Sequence, residues 1–156
     1  MLNRHPRSRA GVAGFTLIEV LVALIVLSIG LLGLAALQIQ SIKHNTDAYF
    51  RTQATLLAYD IIDRMRANSA AVSAGIYEVS APPATEVTCG EDAAGCGSAA
   101  ELAAYDLTRW YQALDAALPP VPGSPSSIDI NGHQVTVTIR WSERGVAKSR
   151  QWIVQL

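Results

Sequence analysis

Glu19 is the first acid in the chain, and it stands where a charge is costly. Residues 20–37 follow it with no charged side chain and one polar one, Ser28. An ionisable group beside such a run is a functional hypothesis by default, because an apolar layer holds a charge only when something pairs with it. Further along, Cys89 and Cys96 have six residues and no His between them. Two thiols alone make a poor metal site. In an exported domain they are expected to close a short disulfide loop; free thiols are the alternative. Near the C-terminus, Arg140, Arg144, Lys148 and Arg150 fall within eleven residues, with Glu143 the one opposing acid and Trp141 and Trp152 alongside. As chemistry that is a basic, aromatic patch able to hold DNA. As structure it is the solvated end of a hairpin with both tryptophans in the core, and the alternation of apolar residues favours this second reading.

Nothing else in the chain has the spacing of an active site. His5, His44 and His133 are scattered, and no Gly-x-Ser-x-Gly, phosphate loop or Cys/His pairing occurs. An enzyme is therefore not expected, and neither a cofactor nor a metal is implied. The formal charge is −1; removing residues 1–14 removes three Arg and no acid, which leaves −4. A mildly acidic chain is a poor nonspecific ligand for nucleic acid, whose phosphates attract Lys and Arg.

The element that must position Glu19 is a membrane-length helix. Eighteen residues at about 1.5 Å each span roughly 27 Å, and adding residues 15–18 reaches the thickness of a bilayer's hydrocarbon core, about 30 Å. Arg4, Arg7 and Arg9 precede the run, which keeps the N-terminus cytoplasmic and sends residues from about 40 onward to the periplasm. A cleaved secretory signal would put Gly33-Leu34-Ala35 at the cut, but the run exceeds the usual apolar stretch of about 7–15 residues and contains an unusual Glu. A plain signal anchor and a buried core helix are the other readings. The missing polar face argues against the last.

The string Gly14-Phe15-Thr16-Leu17-Ile18-Glu19, after a basic leader and before a long apolar run, resembles the processing signal of the type IV pilin superfamily. The resemblance implies cleavage after Gly14 by a prepilin peptidase of the inner membrane, N-methylation of Phe15, and retention of the helix as membrane anchor and filament core. Cleavage would leave an α-amine on Phe15, one turn from Glu19 on the same helix face. A charge pair is less costly in the apolar layer than two isolated charges. Glu19 could pair with its own amine or a neighbour's; the family assigns it to the neighbour, where it sets register during subunit assembly.

From Gln38 the sequence turns amphipathic. Ile39, Ile42, Tyr49, Phe50, Gln53, Leu57, Ile61 and Met65 mark one face. No Gly or Pro lies between Gly33 and Gly75, so one continuous helix is expected to end near residues 68–74. Sixty residues would span roughly 90 Å, which is similar to the pilin spine. Gly30 and Gly33 are either ordinary glycines of a membrane helix or places of close approach or partial unwinding. Asp63-Arg64-Met65-Arg66-Ala67-Asn68 resembles the PilV type of minor pilin, also called the type IV pilus modification protein; a solvated, salt-bridged helix end would read the same way.

Residues 76–79 form a short candidate strand. Ser98-Ala99-Ala100-Glu101 is a capping box that opens a helix over 99–118, with Ala103, Leu107, Trp110, Tyr111, Leu114 and Leu118 as its apolar stripe. Residues 128–130 lead into Asn131-Gly132, a two-residue hairpin signal, and Val135, Val137, Ile139 and Trp141 alternate with polar residues. A turn near 143–145 leads to a last strand over 151–156. The expected fold is α+β and pilin-like: a long N-terminal transmembrane and spine helix packed on a small antiparallel sheet, with an extra helix before the sheet. The expected division is a leader at 1–14, the transmembrane half of the spine at 15–37, its amphipathic half at 38–74, and a periplasmic globular head at 75–156.

The resemblance implies a minor pilin, a low-abundance subunit that primes or modifies pilus assembly in adhesion and twitching motility. Its partners would be other minor and major pilins, the peptidase/methyltransferase and an inner-membrane assembly platform. A minor pseudopilin of a type II secretion system and a DNA-binding pilus-tip subunit are the alternatives.

Overall fold

The computed structural model describes residues 14–89 and 95–156. Arg4, Arg7 and Arg9 lie outside the described residues. The elements are α1 (Leu17–Ala67), α2 (Ser69–Ser73), α3 (Ala99–Ala117), β1 (Ser127–Asn131), β2 (Gln134–Glu143) and β3 (Val146–Gln155). The chain divides into two compact units, one ending at His44 and the other running Asn45–Leu156.

In the first unit residues 20–37 of α1 are apolar all round, and the helix runs unbroken through Gly30 and Gly33. Ser28 donates its hydroxyl to the Leu24 carbonyl at 2.7 Å, so the one polar side chain of that run is satisfied inside the helix, as an apolar surrounding requires. Among the described residues α1 is the one helix long and apolar enough to cross a membrane.

In the second unit α1, α3 and one face of the sheet enclose the core. The sheet order is β1-β2-β3, antiparallel throughout. From α1 the core takes Ala54, Ala58, Ile61, Ile62 and Met65. The face expected from periodicity begins too early: Ile39, Ile42 and Tyr49 are exposed, and Phe50 and Leu57 are only partly covered. The buried stripe passes through two alanines instead. Their small side chains admit Trp110, whose indole N–H donates to the Leu57 carbonyl at 3.0 Å. The stripe expected for α3 is buried as read, from Ala103 to Leu118.

α1 stops at Ala67 because Asn68 leaves the helical region, with φ −120° and ψ 53°. Its side-chain amide is used elsewhere, donating to the Ala99 carbonyl at 2.8 Å and to the Tyr77 hydroxyl at 3.3 Å. A single turn, α2, follows before Gly75 reverses the chain at φ +71°. The strand expected over 76–79 reduces to one bridge, in which Val79 and Ile128 exchange both backbone hydrogen bonds.

The α3 N-terminus is a capping box with a shifted return. Ser98 Oγ accepts from the Glu101 N–H at 3.2 Å, while Glu101 Oε2 accepts from the Gly97 N–H at 2.8 Å. Cys89 and Cys96 are disulfide-bonded just before it, their Cα atoms 4.9 Å apart.

The first hairpin is displaced from the Asn131-Gly132 expectation. Asn131 pairs with Gln134, and the loop is Gly132-His133. Gly132 alone has positive φ (+61°), which fits a turn needing glycine at its first central position. The displaced register sets Ile130 against Val135 and Ile128 against Val137; the expected one would have set Ile130 against His133. Apolar pairing across the strands therefore outweighs the local turn preference. The second hairpin turns at Arg144 and Gly145, both with positive φ. Pairing with β2 starts β3 at Val146, five residues before the expected 151; its first half is exposed and has no apolar alternation to reveal it.

Candidate functional site

Gly14, Phe15 and Thr16 precede α1 in non-helical backbone, and Phe15 is 83% exposed. Thr16 caps the helix: its Oγ1 accepts from the Glu19 N–H at 3.3 Å, and its carbonyl accepts from Glu19 and Val20. Thr16 was not singled out in the sequence, although Thr-x-x-Glu is itself a capping-box pattern. Glu19 thus sits in the first helical turn, where the helix dipole favours an anion. Phe15 and Glu19 line one shallow groove with Val20, Ala23, Leu24 and Leu27. Phe15 lies before the first helical residue, yet its side chain and that of Glu19 reach the same groove.

The four cations near the C-terminus do not form one surface. With the turn at Arg144-Gly145, Arg140 pairs with Ser149, while Lys148 pairs with Trp141 and Arg150 with Ile139. The pleat therefore puts Arg140 on the outer face and Lys148 and Arg150 on the face that Trp141 shares. Arg140 is half-buried and donates to the Pro125 carbonyl at 2.6 Å. Arg144 pairs with Asp47 at 2.6 Å. Lys148 and Arg150 are exposed, and Arg150 lies 5.6 Å above the ring of Trp152. Trp141 is buried and donates its indole N–H to Glu143 at 2.8 Å; Trp152 packs at the rim of the core. Turn position and strand parity together would have revealed this separation in the sequence.

Of the densest polar cluster, only the Asp60–Arg64 pair is legible from its i,i+4 spacing. Asp106, buried on α3, accepts from the Tyr77 hydroxyl at 2.6 Å and from Arg64 at 3.1 Å. Arg64 also bonds Asp60 at 3.0 Å. Burial alone lowers the Arg64 pKa, but hydrogen bonds and charge from Asp60 and Asp106 outweigh it and hold the pKa above its ordinary value. Tyr77 is raised, first by burial and then by its bond to Asp106. The string 63–68 thus has structural work: Arg64 and Asn68 fasten the end of α1 to α3 and Tyr77.

Tyr111 donates its hydroxyl to the Ser126 carbonyl at 2.6 Å, and burial pushes its pKa from 10.0 up to about 12, with Arg140 opposing. The fold holds the phenol protonated, so this stabilisation is complete below the unfolded value and is lost as pH rises through the folded one. Denaturant midpoints are expected to fall between pH 10 and 12, with a shallower fall in Tyr111→Phe. Equal slopes in the two proteins would exclude Tyr111 as a source of the loss.

Two family models match the chain. Residues 36–108 match the model described as type IV pilin Tt1218, and residues 9–35 match the prokaryotic N-terminal methylation motif. No curated protein and no solved structure matches.

Proposed function

We propose that this chain, whose family-model matches support a type IV pilin, is a minor pilin of the PilV type, a low-abundance structural subunit that primes or modifies pilus assembly. Prepilin peptidase cuts between Gly14 and Phe15, Phe15 is N-methylated, and the apolar half of α1 anchors the subunit in the inner membrane with its head periplasmic. Glu19 then receives the terminal amine of a neighbouring subunit during assembly with other minor and major pilins on the membrane platform. The finished pilus carries the head to the cell surface, where adhesion and twitching motility depend on it.

The observation that carries this reading is the arrangement at the start of α1. The bond to be cut lies in exposed, non-helical backbone, and the Thr16 cap begins the helix directly after it. A peptidase needs an extended segment, and the capped helix leaves the scissile bond outside its first turn. Phe15 and Glu19 share one face, so the amine released by cleavage is presented beside the carboxylate.

The test is the N-terminal mass of the membrane-extracted protein, with and without the peptidase. A peptidase-dependent chain starting at N-methyl-Phe15 is the expected result. A chain starting near Ala36 would identify ordinary secretory cleavage, which removes the helix and the reading with it. Deletion then distinguishes the pilus from a type II secretion apparatus: lost surface fibres with normal exoprotein release assign the subunit to the pilus.

A further inference from the structure

Strand β3 is the last strand of the sheet, and among the described residues only β2 pairs with it. Half of its backbone N–H and C=O groups therefore face outward. Among the described residues no strand covers that edge, which runs for ten residues and is exposed along most of its length. Such an edge invites another strand unless its side chains prevent it.

The side chains here select rather than simply block. Lys148 and Arg150 project on the face of the sheet that looks toward α1. Arg150 forms a groove of about 220 Å³ with Arg51, Thr52, Thr55 and Leu56 of α1. The nearby acids are engaged: Glu143 is buried against the Trp141 indole and lies 4.0 Å from Arg51, and Asp47 holds Arg144. Two exposed apolar side chains flank the charges, Leu56 in the groove and Ile153 on the opposite face of β3.

We propose that the free edge of β3 accepts an extended acidic segment of a different protein as a fourth strand. Acidic side chains on its inner face lie beside Lys148, Arg150 and Arg51, and apolar side chains on its outer face pack beside Ile153. A second copy of this chain is the wrong partner for edge-to-edge pairing. It would bring Lys148 and Arg150 against their own equivalents, and like charges across adjacent strands are destabilising. The edge thus rejects its own copies and favours a partner of opposite charge. Docking of this kind uses only the head and is separable from filament entry.

The test uses the full chain in detergent micelles with a capped peptide of about eight residues alternating Glu and Val, a typical strand length. The control peptide alternates Lys and Val. Hydrogen exchange in β3 is expected to slow by about tenfold with the acidic peptide, an effect that fades at high salt as the charges are screened. Lys148→Glu/Arg150→Glu should reverse the preference between the peptides, a result that a merely misfolded variant would not give. Equal binding of both peptides, or binding that leaves β3 exchange unchanged, would overturn the proposal. So would protection of β3 by self-association without peptide, which would assign the edge to a second copy.

Discussion

Asp106→Ala is expected to destabilise the head by about 3 kcal/mol, because it leaves one hydroxyl and one guanidinium without their acceptor. Asp106 is 5% exposed and receives both Tyr77 and Arg64. Tyr77 is fully buried, so its hydroxyl cannot turn to water. Arg64 is partly exposed and keeps Asp60, which limits its share of the loss. For a domain of this size the loss corresponds to a melting temperature lower by about 15 °C. Asp106→Asn retains an acceptor for Tyr77 while removing the charge opposite Arg64, and should lose roughly half as much. Thermal melting of the two variants checks the account. An alanine variant melting within about 2 °C of the parent would mean that the cluster contributes little to holding α3 on α1.

The second large effect is on assembly. Glu19→Ala should insert into the membrane normally, since it removes a charge from the apolar half of α1, yet enter fibres at least about tenfold less, the consequence of losing about 1.4 kcal/mol of pairing. Sheared fibres blotted against the membrane fraction give the ratio. The cap at Thr16 offers a competing explanation, because Glu19 also occupies the third position of a capping box. Glu19→Gln separates the two: it keeps a residue suited to the cap and removes the charge. If Gln restores fibre entry, the carboxylate is a helix-capping group and not a pairing group. Failure of both variants supports the pairing.

Much of this molecule is legible before folding, where one short-range signal decides. Six residues from Gly14 to Glu19 carry the family signal, and the methylation-motif model matches over them. Ser98 and the α3 stripe are also local, since a cap and a helical period need only their own segment. Errors arise where a tertiary choice intervenes. Alanines carry no strong hydrophobic signal, so Ala54 and Ala58 were passed over for Ile42 and Tyr49, which are larger but exposed. The Asn131-Gly132 turn was displaced by pairing across strands. Asp106 and Tyr77 are 29 residues apart, and no local pattern brings them together. The four cations near the C-terminus are close in sequence but divided between the two faces of the sheet, in line with the hairpin end that the apolar alternation favours.

The pairing of Arg144 with Asp47 bears on the order in which the head forms. The two residues are 97 positions apart. Bringing such distant points together costs about 4 kcal/mol of chain entropy, whereas an exposed ion pair returns under about 1 kcal/mol. The pair therefore cannot draw the hairpin to the helix. Burial of Ile139 and Trp141 against the core must close that loop, and Arg144 finds Asp47 only once the distance has already been spanned. The contact is a latch that engages late, fixing the angle of a hairpin whose arrival it did not cause.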